Sequence, residues 1–118
     1  MCALPVAGNR RTCGACERKP RWFDSAFAAY LYGYPLDRLI QRFKYGGELD
    51  VGRVLAELGS RALEASAIPR PQALVPVPLA RAKLRERGFN QALELAKPIA
   101  RALSVPIRLD LCARVRAT

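Results

Sequence analysis

Leu74-Val-Pro-Val-Pro-Leu79, followed by Arg81-Ala-Lys83-Leu-Arg85-Glu-Arg87-Gly88-Phe89-Asn90-Gln91, is the stretch on which the reading of this chain turns. Ala73 to Val75 is a short apolar run that reads as a strand, and Pro76 and Pro78 end it because neither can donate to a ladder. A loop carrying Arg81, Lys83, Arg85 and Arg87 follows. Gly88 lets the backbone approach closely where a helix begins, and Asn90 caps that helix. Its N–H groups and the positive end of its dipole complement a phosphate or pyrophosphate. In α/β folds ligands bind outside the carboxyl ends of strands, where this loop falls. Four bases so close together also suit a solvated face or a nucleic-acid patch, so charge alone leaves both readings open.

Downstream, Ala92, Leu95, Ala96, Ile99 and Leu103 recur at helical spacing, and Pro98 inside that pattern predicts a kink or a break into two pieces. Ile107, Leu109 and Leu111 then alternate with polar residues, the period of a half-buried strand. Upstream, Pro35 starts a helix with Leu36, Leu39, Ile40 and Phe43 on its inner face, and Gly46-Gly47 ends it. A second helix runs from an Asp50 cap, with Val51, Val54, Leu55, Leu58 and Ala62 on one face, until Pro69 and Pro71 close it. The aromatic-rich run Ala26 to Tyr32 reads as a short strand. Strands alternating with helices make this an α/β chain.

The 118 residues hold 20 Lys+Arg against 10 Asp+Glu, a formal net charge of +10, and 51% are hydrophobic. That composition is globular, and a core this small leaves a thin margin of stability. The charge is uneven: residues 1–24 carry five bases and two acids, 25–69 five of each, and 70–118 ten bases and three acids. Both ends therefore face anions. The start lacks the apolar stretch of a secretory signal, and no apolar run approaches the roughly 18 residues of a membrane span, so a cytoplasmic protein without membrane insertion is expected. In that compartment the four cysteines are metal ligands or packed residues rather than disulfides.

Residues 1–24 show neither helical nor strand period and read as a cysteine knuckle, with 25–118 the main domain. Cys13-Gly-Ala-Cys16 puts two thiolates on one turn, close enough to share Zn²⁺, with Cys2 a third ligand. Three ligands do not close a structural site. Cys112 is a candidate fourth or simply a small packed residue, and free thiols on the terminus are the competing reading. Trp22, Phe23, Phe27, Tyr30, Tyr32 and Tyr34 crowd the following segment.

Taken in order, Cys13-Gly-Ala-Cys16, Leu39-Ile40, Lys44-Tyr45-Gly46, Leu74-Val-Pro-Val-Pro-Leu79 and Arg87-Gly-Phe-Asn-Gln91 resemble the competence protein ComF family of phosphoribosyltransferase-like proteins. The resemblance implies the N-terminal part of a type I phosphoribosyltransferase-like fold preceded by a short cysteine zinc knuckle. It implies glycosyltransferase chemistry linked to nucleotide metabolism or to competence and DNA uptake. It places Arg81, Lys83, Arg85, Arg87, Gly88 and Asn90 around the pyrophosphate of phosphoribosyl pyrophosphate, with Mg²⁺ accompanying that ligand in a full-length protein. Single-stranded DNA or the competence machinery are the implied partners. The family's paired acids followed by Thr and Gly are absent: Asp24, Asp37, Asp50 and Asp110 each lack an adjacent acid. No catalytic residue is therefore assigned, and the chain reads as a fragment, binding pyrophosphate without turnover and leaving apolar edges open. From a different class comes a second hypothesis, a basic zinc-knuckle module that grips single-stranded nucleic acid by phosphate contacts and stacking.

Overall fold

A computed structural model describes Ala3 and residues 12–19 and 22–115. Two compact units divide it, Met1–Leu31 and Tyr32–Thr118. In the first, a short helix α1 spans Gly14–Arg18. The second contains α2 (Leu36–Gly46), α3 (Leu49–Glu64), α4 (Arg81–Arg87) and α5 (Gln91–Leu103).

Helix α2 forms as its periodicity predicts, with Pro35 at the N-cap position and Gly47 in the left-handed region (φ 66°) at the C-cap. Phe43, 2% exposed, is the large side chain that this helix buries. Helix α3 starts one residue ahead of Asp50, with Glu48 as N-cap, and stops at Glu64, short of the two prolines expected to close it. Asp50 instead lies in the first turn, paired with Arg53 at 3.0 Å. Glu48 receives both arms of the Arg42 guanidinium across the Gly46-Gly47 turn, and these hydrogen bonds hold its carboxyl below the usual range.

The buried stripe of α3 is Gly52, Ala56 and Ser60, residues too small to register in the hydrophobic pattern, whereas Val54 faces solvent. Ala96 and Ala100 are the buried aliphatic residues of α5, so α3 and α5 meet through small side chains and their backbones come close. The Ser60 hydroxyl donates to the Ala56 carbonyl at 2.9 Å, which satisfies it inside the seam. Helix α5 runs continuously through Pro98, so of the kink or break expected there the break does not occur. The missing N–H costs one bond, and packing of the flanking Ala96 and Ala100 against α3 holds the helix together. It ends at Ser104 (φ 50°), with Val105 N–H donating to Ala100 O at 3.0 Å.

Of the expected strands, 26–32 is irregular, with bends at Ala29, Tyr30 and Tyr32. Leu74 and Ile107 form an isolated parallel bridge: Leu74 N–H donates to Pro106 O and Arg108 N–H to Leu74 O, both at 2.9 Å. Pro76, Pro78 and Pro106 lack donors, which keeps the pairing from extending. Val75, Val77, Leu109 and Leu111, on the two segments so joined, are all exposed.

A Cβ on Gly52 would sit 2.4 Å from Cε2 of Phe43, whereas one on Gly59 would come no nearer than 3.9 Å to Cδ1 of Ile99. Gly52→Ala is therefore expected to cost about 1–3 kcal/mol through overpacking. Gly59→Ala should be neutral or stabilising by up to about 1 kcal/mol. Denaturant melts of the two variants side by side check this, and equal behaviour would contradict the packing described.

Candidate anion-binding site

The segment expected to be a cation-lined loop is a helix, α4. Nothing between Arg81 and Arg87 breaks a helix, and Ala, Leu, Arg, Lys and Glu all favour one. Lys83 and Glu86, three apart, pair at 2.7 Å, and this bond holds the Glu86 carboxyl below its ordinary range, with the Arg87 charge assisting. Gly88 ends the helix as its C-cap: φ is 79° and its N–H donates to Leu84 O at 2.8 Å. A Cβ there would meet nothing within 4 Å, so the glycine answers to backbone conformation rather than to close approach.

Asn90 caps α5 as the sequence predicts. Its side-chain oxygen accepts from Ala92 N–H at 2.9 Å, and its amide nitrogen donates to Val77 O at 3.1 Å. One side chain thus ties the start of α5 to the segment leaving the parallel bridge. Arg114 Nη1 donates to Pro78 O at 3.0 Å, bringing a downstream segment to the same place. Between them lies a groove of about 410 Å³ whose walls include Pro78, Leu84, Phe89, Leu93 and the exposed Cys112. A larger groove of about 630 Å³ runs along the outer edge of the α3–α5 contact, and Arg61–Glu57 and Lys97–Glu94 pair across its lining.

The four cations of α4 have different surroundings. Lys83 is held by Glu86. Arg87 is half-buried, its guanidinium carbon 5.1 Å from the ring centroid of Tyr45, with a buried Nε that has no hydrogen-bond acceptor among the described residues. Arg81 and Arg85 are exposed, one helical turn apart, and neither forms an ion pair among the described residues. Gln91 is buried at the first position of α5, its amide nitrogen also without a partner among the described residues. Phe89 packs on Phe43 with ring centroids 5.6 Å apart. The sequence reading missed the roles of Tyr45, Phe43 and Gln91. For the aromatics the available signal was that Phe43 and Tyr45 sit in the last turns of an amphipathic helix.

In the first unit Cys13 and Cys16 share one turn. Cys13 is the N-cap of α1, and its carbonyl accepts from the N–H groups of Cys16 (2.9 Å) and Glu17 (3.2 Å). That turn suits two thiolates on one ion, but no group of three or more His, Cys, Asp or Glu side chains that could hold a metal occurs among the described residues. The proposed third ligand, Cys2, lies outside the described residues.

The chain is 33% identical over 122 residues to competence protein F of Haemophilus influenzae, covering 99% of this chain and 53% of that protein. It is 31% identical to the DNA utilization protein YhgH of Salmonella typhi and 29% identical to that of Escherichia coli K12, over all of this chain and 54% of each relative. Over its whole length the chain is thus similar to competence and DNA utilization proteins. It spans about half the length of these curated relatives. No family model and no solved structure matches it. No helix among the described residues is long and apolar enough to cross a membrane.

Asn90 is both a cap and a tie. Asn90→Ala should cost about 1 kcal/mol from the lost cap alone. Asn90→Asp, which keeps the acceptor but not the amide donor to Val77, should fall between the two. Denaturant unfolding of the three proteins measures it, and an Asp variant as weak as Ala would mean that the Val77 bond dominates.

Proposed function

We propose that this chain serves DNA uptake or utilization, and that α4, Gly88 and the start of α5 receive the pyrophosphate end of phosphoribosyl pyrophosphate. One observation carries the reading: Arg81 and Arg85 lie exposed, without ion pairs among the described residues, on a helix that leads through Gly88 into the Asn90-capped start of α5. This arrangement directly follows a segment stopped by prolines. Guanidinium groups bind phosphate through short charge-assisted hydrogen bonds, and the N-terminus of a 13-residue helix adds a field of the same sign. In a phosphoribosyl transfer such cations stabilise the charge that develops on the departing pyrophosphate. Mg²⁺ would accompany the diphosphate in a full-length protein.

A second reading draws on the first unit, where Trp22, Phe23, Phe27 and Tyr30 are exposed and Arg18 and Lys19 stand at the end of α1. Exposed aromatic faces beside cations suit stacking on single-stranded nucleic acid, and several relatives are named DNA utilization proteins.

Calorimetry with pyrophosphate, phosphoribosyl pyrophosphate, orthophosphate and an oligothymidylate separates the two readings. The double variant Arg81→Ala/Arg85→Ala should lose at least about tenfold in pyrophosphate affinity, since two charge-assisted contacts go. Arg10→Ala/Arg11→Ala should lose little. Equal losses, or binding confined to the oligonucleotide with a steep salt dependence, would favour the nucleic-acid surface.

The cysteine turn is proposed as part of a zinc knuckle formed by Cys13 and Cys16, with Cys2 as third ligand. With three cysteines the ion should bind weakly and exchange readily. Cys13→Ser/Cys16→Ser should abolish zinc uptake measured by a chelator dye. Stoichiometric zinc that survives dialysis against chelator in the parent chain would mean that a fourth ligand completes the site.

A further inference from the structure

The cations of α4 do not share one task, and the division deepens the proposed anion site, on which it rests. We propose that Arg87 is a positioning residue: stacked on Tyr45, it holds the 87–90 turn against the end of α2, while Arg81 and Arg85 carry the charge offered to the anion.

Three observations converge on Arg87. Its guanidinium carbon lies 5.1 Å from the Tyr45 ring centroid, within cation–π range. Its Nε is buried, so the side-on Nε–Nη edge, one of the two a guanidinium offers for two-pronged recognition of a phosphate, is closed to a ligand. Two residues on, Phe89 packs on Phe43 at 5.6 Å. Arg87 and Phe89 therefore fasten opposite sides of Gly88 to the same helix end, through Tyr45 and Phe43 respectively. Gly88 between them has φ 79°, a conformation glycine enters freely and as freely leaves. Two side-chain clamps on α2 fix that torsion, and with it the approach of α4 to the Asn90 cap. Arg81 and Arg85, on the exposed side of α4, are left for the ligand.

The 118-residue chain and the variants Arg87→Ala, Arg87→Lys, Tyr45→Leu and Tyr45→Trp, together with the double variant Arg87→Ala/Tyr45→Leu, test this with inorganic pyrophosphate as probe. Calorimetry gives Kd, and NMR of the ligand-free chain gives amide exchange at Phe89 and Asn90 and the ring-current shift of the Arg87 side-chain protons. Arg87→Ala and Tyr45→Leu should each weaken pyrophosphate binding by the same factor, about two- to fivefold. The double variant should fall no further, and Tyr45→Trp should bind as the parent does. Arg87→Lys keeps a cation over the ring and should lose little, whereas a two-pronged phosphate ligand would not survive that change. Amide protection at Phe89 and Asn90 should drop alike in Arg87→Ala and Tyr45→Leu.

Loss of binding in both Arg87→Ala and Arg87→Lys with Tyr45→Leu unaffected would make Arg87 a direct ligand and overturn the proposal. So would unchanged affinity and unchanged protection in Arg87→Ala and Tyr45→Leu. If the parent binds no pyrophosphate, the anion site itself fails, and amide exchange with the ring-current shift still decides whether Arg87 holds the turn. Tyr45 is exposed, so its variants fold unless the clamp is essential to folding, which a melt of Tyr45→Leu beside Tyr45→Trp distinguishes.

Discussion

Phe43 is the contact through which the second unit is organised. Its ring lies where a Gly52 side chain would begin, and the ring of Phe89 packs on it. It therefore joins α2 to α3 and to the turn ahead of α5 at one buried point. The absence of a side chain at Gly52 is what lets an aromatic ring approach α3 so closely. Burying a phenylalanine contributes on the order of 1.5–3 kcal/mol, a large share of what a domain this small can spare. Position and orientation of α2 follow from that one ring, and so do Tyr45 and the guanidinium above it.

Around this centre the electrostatics are shallow. The ion pairs of the second unit, Arg42–Glu48, Arg53–Asp50, Arg61–Glu57, Lys83–Glu86, Lys97–Glu94 and Arg108–Asp110, lie largely at the surface, where solvent and salt screen them. They depress the carboxyls of Glu48, Glu86 and Asp110. A depressed folded-state pKa gives stability that is present above the unfolded value and is lost as pH falls through the folded one, so their small contribution stands at neutral pH and fades only in acid. Their larger consequence is subtraction: each basic residue engaged locally is one fewer to meet a distant anion.

Helix existence was legible in the sequence wherever large apolar residues recurred: Leu36, Leu39, Ile40 and Phe43 placed α2, and Ala92 to Leu103 placed α5 with its Asn90 cap. Less legible was the packing of α3, because Gly52, Ala56 and Ser60 carry no strong hydrophobic signal and are buried by fit rather than by transfer energy. The four cations of α4 looked like a loop because attention to charge hid their ordinary helix-forming backbone. Short apolar runs misled in the other direction. Residues 26–32 have strand composition but join no ladder among the described residues, since pairing depends on a neighbour that local sequence cannot specify. At the proposed anion site the sequence pointed to the residues next to Gly88, but not to the contact of Arg87 with Tyr45, more than forty positions away in the chain.

The seam between α3 and α5 has a thermodynamic signature of its own. At the fully buried positions glycine, alanine and serine side chains hide few methyl and methylene groups, so separating these helices uncovers backbone along with the hydrocarbon of neighbours such as Ile99. Apolar exposure raises heat capacity and polar exposure lowers it, so the backbone uncovered here subtracts from the apolar contribution. The stability curve of this seam should accordingly be broad and flat, with cohesion that changes little between a cold environment and a warm one.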